Sequence, residues 1–148
     1  MGGEAAHLRT GSAGEDAAAA YVLALGWRVT DRNWRPLGRQ RGLELDIVAR
    51  DGKTLVFVEV KTRRLGPAPR ESAPAIPVHA AFTERKKQRL LRAASLYLSA
   101  GDLWHLPCRF DFIGVELAAD GRPRVEHQRH VIENGHIVGD SHASWQPW

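Results

Sequence analysis

The residues Glu44 to Arg63 constrain the fold more than any other stretch, because they place acids on a β-hairpin whose second strand reads as buried on both faces. Two β-prone runs, Leu43–Arg50 and Thr54–Thr62, flank Asp51-Gly52. Asp-Gly between such runs signals a hairpin, since both residues tolerate positive φ. Alternation along the first strand puts Glu44 and Asp46 on one face and Leu45, Ile47 and Ala49 on the other. In the second strand Val56, Val58 and Val60 fill one face, while Leu55 and Phe57 lead to Glu59 and Lys61 on the opposite one. Such a strand reads as buried on both sides. A charged group there costs several kcal/mol unless it is paired or bound to a metal. Two carboxylates converging from neighbouring strands make a hard oxygen site suited to Mg²⁺ or Mn²⁺, with Asp46 and Glu59 the candidates. Lys61 could then orient or activate water, or stabilise charge on a phosphate. The same residues also allow a plain ion pair at a strand end, Glu59–Lys61 or Asp46–Lys61.

Length and charge limit the remaining classes. A chain of 148 residues fits one domain with a real core of helices and a sheet. No apolar run approaches the roughly 20 residues that span a bilayer, and the first seven residues lack the regions of a signal peptide, so the expected location is the cytoplasm, with no membrane partner. Cys108 is the sole cysteine, which excludes an intrachain disulfide and a cysteine-based zinc site. A net charge of +4 and a pI near 9.7 permit a nucleic-acid partner. However, 17 of the 21 basic residues are arginine, as a GC-rich genome would also produce, so clustering carries more weight than number. The seven histidines are scattered; His127 and His130 are the closest pair, have no third ligand at metal spacing, and are expected at the surface.

Along the chain, residues 1–11 read as a flexible leader, residues 12–138 as the single domain and residues 139–148 as a flexible tail. The first helix is expected from Thr10 or Ser12 to Leu25, closed by Gly26, with an apolar stripe of Ala17, Ala18, Tyr21, Val22 and Leu25. Glu15 either complements the dipole of that helix or aims a carboxylate at the sheet. Trp27–Trp34 predicts a strand, followed by a basic turn over Arg35–Gly42. Its arginines suit phosphate contacts, with Trp34 available for stacking, or are simply solvated. Residues 64–81, with four prolines, predict a mobile loop that orders on substrate. A second helix starts at the N-cap Thr83 and runs to about Ser99, burying Leu90, Leu91, Ala94, Tyr97 and Leu98. Arg85, Lys86, Lys87, Arg89 and Arg92 crowd its first half, where cations oppose the dipole; an anionic ligand would explain them. Strands over Arg109–Leu117 and Arg124–His130, joined at Asp120-Gly121, complete the pattern.

The order helix, strand, acid-bearing hairpin, loop, basic helix, strand resembles the PD-(D/E)xK nuclease superfamily, with the motif as Asp46, twelve residues, then Glu59-Val60-Lys61. Gly14-Glu15-Asp16 with Ala18, Glu44-Leu45-Asp46-Ile47-Val48-Ala49-Arg50-Asp51-Gly52, Leu55 through Arg63, Thr83 with Lys86, and Arg109-Phe110-Asp111 look like the YraN-like family of small bacterial proteins, related by fold to Holliday junction resolvases. The likeness covers roughly residues 12 to 117. It implies a restriction-endonuclease-like three-layer α/β core, a central mixed β-sheet flanked by helices. It also implies that Asp46 and Glu59 ligate a divalent metal, helped by the Val60 carbonyl, that Lys61 assists the attacking water, and that Glu15 adds a helix-borne acid. Glu44 matches a family acid of less clear role, an accessory candidate. One departure stands out: where the family usually has glycine before the first hairpin acid, this chain has Leu43, with Gly42 one position earlier.

The expected function is therefore Mg²⁺- or Mn²⁺-dependent hydrolysis of DNA phosphodiester bonds, on branched or damaged DNA, with Asp46, Glu59, Lys61 and Glu15 catalytic. Lys86, Arg89, Arg35, Arg39, Arg41 and Arg63 are the expected nucleic-acid contacts, and a homodimer would match a two-fold junction. The alternatives are a non-catalytic nucleic-acid-binding accessory protein on the same fold and a protein-interaction module using a sheet edge and the tryptophan-bearing tail.

Overall fold

Residues rich in β-branched and aromatic side chains, each run ended by turn-formers, build one five-stranded sheet in the computed structural model, which describes residues 2–38, 41–66 and 83–132. The strands are β1 (Arg28–Trp34), β2 (Leu45–Asp51), β3 (Thr54–Arg64), β4 (Cys108–Leu117) and β5 (Pro123–Gln128), in that spatial order. All neighbours are antiparallel except β3 and β4. A parallel pair needs a crossover, and helix α2 (Glu84–Gly101) lies in that connection. Helix α1 (Gly2–Ala24) covers the opposite face. The result is a central mixed sheet flanked by two helices, a restriction-endonuclease-like three-layer α/β fold. Among the described residues no helix is long and apolar enough to cross a membrane.

The alternation of β3 divides the core in two. Leu55 and Phe57 pack with Leu90, Ala94 and Leu98 of α2, whereas Val56 and Val58 pack with Ala18 and Val22 of α1. Thr83 caps α2 as expected, its hydroxyl accepting from the Lys86 amide at 3.2 Å. Gly26 closes α1 with φ +88°, a conformation that glycine adopts without a Cβ penalty.

Several expectations are corrected. Helix α1 begins at Gly2, not at Thr10 or Ser12, so most of the expected leader is helical; adding residues to a formed helix costs little, and alanines favour it. Glu15 therefore sits in mid-helix, away from the terminal turn where a dipole could favour it. The hairpin turn is Gly52-Lys53, because Asp51 still pairs with Thr54. Strand β3 continues to Arg64, into the expected loop, whose residues 67–81 lie outside the described ones, as do Arg39 and the tail 139–148. Leu43, at the departure from the family pattern, is buried in the α2-side core, and Gly42 takes φ +80° before it. His130 is exposed, but His127 is not at the surface: its side chain is 5% exposed.

His127 belongs to a buried ionic network that holds the hairpin. Its Nε2 lies 2.8 Å from Asp111 Oδ2, and Arg109 Nε donates to Asp111 Oδ1 at 3.0 Å. Arg109 also reaches Asp51 at the hairpin end, 3.1 Å away, while its guanidinium stacks 5.0 Å from the Trp27 ring. Burial opposes ionisation of Asp111, but hydrogen bonds from His127 and Arg109 outweigh it and hold the carboxyl below its ordinary range.

A second close approach sets the position of α1. A Cβ on Gly14 would stand 1.7 Å from Thr62 Oγ1 of β3, so only glycine lets the helix backbone rest on the strand. Gly14→Ala is expected to cost about 1–3 kcal/mol by overpacking, read as a lower denaturant midpoint at unchanged slope. Asp111→Ala, which takes from buried Arg109 one of its two carboxylate partners and from His127 its own, should cost about 3–5 kcal/mol. The Asp111 contribution is present above the ordinary carboxylate range and is lost as pH falls through the lowered folded value. Acid unfolding followed by circular dichroism should accordingly be shallower in a folded Asp111→Asn variant.

Candidate active site

The β2–β3 ladder stops one residue short of the acids. Its last pair is Ile47 with Val58, and the next free amide on β3, Val60 N–H, donates to the Asp46 carboxylate at 2.9 Å. A side chain thus replaces a backbone acceptor, and regular alternation fails here: Leu45 packs on the α2 side and Ile47 on the α1 side, not on one face as the sequence predicts. Glu59 follows Phe57 on the α2-facing side of β3 and is 8% exposed. The first turns of α2 bring their cations to it, and Lys86 Nζ lies 2.6 Å from Glu59 Oε1. Glu44, Asp46 and Glu59 line one wall of a cleft of about 440 Å³, and Arg85, Lys86 and Arg89 line the other. An adjoining recess of about 410 Å³ shares Gly42 and Glu44 and adds Arg35 and Arg41.

Burial first, and then the neighbouring Glu59 carboxylate, push the Asp46 carboxyl up to about 8, against the lowering pull of the Val60 amide. Glu15 and Glu44 add smaller repulsions. A pair of crowded carboxylates in a partly buried cleft is short of positive charge, and its all-oxygen chemistry fits a hard divalent cation. Among the described residues no three histidine, cysteine or acidic side chains are grouped to hold a metal by themselves. Magnesium is commonly held by one or two carboxylates plus waters and substrate phosphates, so two acids are a sufficient protein contribution.

The structure gathers Asp46, Glu59, Glu44, Lys86 and Arg89 in one cleft, with Arg35 and Arg41 in the adjoining recess. Glu15 comes from α1, on the far side of the sheet, close enough to repel Asp46. Lys61 follows Glu59 on the same face of β3 but is exposed and is not among the residues lining the cleft. Arg63 is paired with Glu116 of β4 at 3.1 Å, so its guanidinium is directed along the sheet. Trp34 is half-buried and packs in a T-shaped arrangement with Tyr97, ring centroids 5.1 Å apart. Arg35 is bonded to Glu44 at 3.1 Å. Arg85, one of the cations for which the sequence suggests an anionic ligand but not among the named nucleic-acid contacts, joins the wall; its spacing four residues before Arg89 places both on one helical face.

Because its folded value is raised, Asp46 favours the native state only in its neutral form, an advantage that fades as pH rises from the ordinary carboxylate range through about 8. Asp46→Asn, which removes the charge while keeping the shape, should melt several degrees above wild type at pH 8.5. It should also flatten the dependence of melting temperature on pH between pH 4 and 8; scanning calorimetry checks both.

Comparison with known proteins agrees with these motifs. Residues 14–115 match the model of the uncharacterised protein family UPF0102. A UPF0102 protein of Oleidesulfovibrio alaskensis is 46% identical over 114 residues, spanning 77% of this chain and 51% of that protein, so the chain covers about half of that relative's length. A UPF0102 protein of Nitratidesulfovibrio vulgaris is 41% identical across 94% of this chain and 95% of its own. One of Symbiobacterium thermophilum is 47% identical over 78% of this chain and 89% of its own. The matched region runs from the Gly14 contact through both acid-bearing strands and α2 to Val115, and the chain belongs to the UPF0102 family, consistent with a PD-(D/E)xK-like classification.

Proposed function

We propose that this protein is a divalent-metal-dependent endonuclease that hydrolyses DNA phosphodiester bonds, with branched or damaged DNA as the expected substrate and the cytoplasm as its location. The observation that carries the reading is the cleft with Asp46 and Glu59 on one wall and Arg85, Lys86 and Arg89 on the other. Acids able to hold a cation thus face cations able to hold a phosphate. Asp46 and Glu59 are the metal ligands in this reading, with the Val60 carbonyl and Glu15 as contributors. A bound Mg²⁺ or Mn²⁺ supplies Lewis acidity and activates water. The protein's own groups do the rest. The Val60 amide fixes the Asp46 carboxylate, Arg89 and Arg85 hold the strand by its backbone, and Arg35 and Arg41 extend that grip along the adjoining recess. Lys61 serves the attacking water after moving inward from its exposed position on β3. Glu44, held by Arg35, shapes the entrance.

A second reading, a non-cleaving nucleic-acid-binding protein on the same fold, is favoured by that exposed position of Lys61, outside the cleft. Purified protein assayed with Mg²⁺ or Mn²⁺ on linear, nicked and four-way-junction DNA separates the two. The nuclease reading expects cleavage that falls at least about a hundredfold in folded Asp46→Ala and Glu59→Ala variants, the scale at which removal of one catalytic group is felt. Cleavage that survives both substitutions overturns it. Salt-sensitive DNA binding without cleavage in either metal, unchanged by both substitutions, establishes the second reading.

A further inference from the structure

The cationic start of α2 has an anion within the protein. Lys86 sits at the first turn, held there by the Thr83 cap, and its ammonium lies 2.6 Å from Glu59 Oε1. The Glu59 side chain is 10% exposed and the Lys86 side chain 39% exposed, so the carboxylate is the more deeply buried partner and the ammonium reaches it from the solvent side. Lysine is a compact charge on a flexible stem, able to leave one anion for another without moving the helix. Arg89, three residues on, lines the same cleft and marks the wall to which a released ammonium would return.

We propose that Lys86 is a built-in counter-cation that competes with the metal for Glu59 and, once displaced, becomes a phosphate-binding group on the cleft wall. This rests on the metal-site reading above. A divalent ion on Glu59 and an ammonium on the same carboxylate are like charges a few ångströms apart, so the two occupancies oppose each other in a partly buried cleft. Exchange answers both needs of the site. Before loading, Lys86 neutralises an acid that would otherwise stand buried and unpaired; after loading, the protein presents one more positive charge to the backbone of the nucleic acid. Metal loading and nucleic-acid binding are thereby coupled in the favourable direction, each raising the affinity for the other.

The test is calorimetric titration of Mn²⁺ alone into the full chain, as wild type, Lys86→Met, Lys86→Arg and Glu59→Gln, each first checked by its melting curve. Lys86→Met should bind Mn²⁺ about tenfold tighter than wild type and Lys86→Arg about as wild type, the size of coupling usual between sites. Binding by Lys86→Met that equals or falls below wild type, with wild-type binding abolished in Glu59→Gln, overturns the exchange and leaves the carboxylate site standing. Absence of Mn²⁺ binding in wild type and Lys86→Met alike overturns both. Should Lys86→Met fail to fold, the wild type gives the answer through a magnesium titration followed by NMR of ¹³Cε-labelled lysine. The Lys86 resonance, assigned by its loss in Lys86→Arg, moves if the ammonium is released; an unmoved resonance under saturating Mg²⁺ overturns the proposal.

Discussion

An ionised carboxylate in a sheet covered on both faces loses its water and must be given other partners, or the cost consumes a large part of the roughly 5–15 kcal/mol that holds a domain together. Asp46 and Glu59 pose that problem side by side, and much of the surrounding architecture answers it. The Val60 amide gives up its ladder position to bond Asp46, and Lys86 reaches from α2 to Glu59. Asp46 still keeps an unfavourable balance, visible in a carboxyl pushed up to about 8. Stability is thus forgone at one spot, while most of the core is apolar and the other buried charges, Arg109, Asp111 and Glu116, have partners of opposite sign.

The demands on the scaffold follow from that spot. The acids stand on adjacent strands, so their separation is set by the β2–β3 register, and the register is pinned at the hairpin end by Arg109, which spans Asp51 and Asp111. The third acid, Glu15, belongs to another layer and comes near only because its neighbour Gly14 lets α1 lie directly on Thr62. The cations belong to α2, whose first turn is fixed by Thr83. The sheet and α2 therefore meet at one cleft, with Glu15 of α1 acting on Asp46 from the far side of the sheet, and a displacement of any layer by an ångström changes which charges act on one another.

Much of this was legible beforehand. Both helices, all five strands and the two-sided burial of β3 follow from periodicity and turn residues, because those signals are local and the core selects them strongly, whereas the spatial order of the strands and the parallel β3–β4 pair do not. Glu59 is legible as a misfit, a charge where the pattern demands an apolar group, and Asp46 as the acid able to converge on it from the neighbouring strand. The failures have local causes too. The α1 start was missed because helix extension carries no sharp signal without a cap. The facing of Leu45 was missed because a side chain, Asp46, replaces a backbone acceptor and ends the alternation. His127 reads as a polar surface residue until β5 lays it beside Asp111.

What the sequence determines alone is therefore the set of elements and the identity of the unusual charges, since both depend on spacing along the chain. Which charges meet was decided only by tertiary structure. Lys86 is separated from Glu59 by 26 residues of intervening chain, and nothing along that chain distinguishes it from Lys61, two positions from the same acid. The lysine near in sequence is exposed and does not line the cleft, whereas the distant one is carried to the carboxylate by the packing of α2 on the sheet. Electrostatic partners are chosen by distance through space, and that distance exists only once the layers have closed on one another.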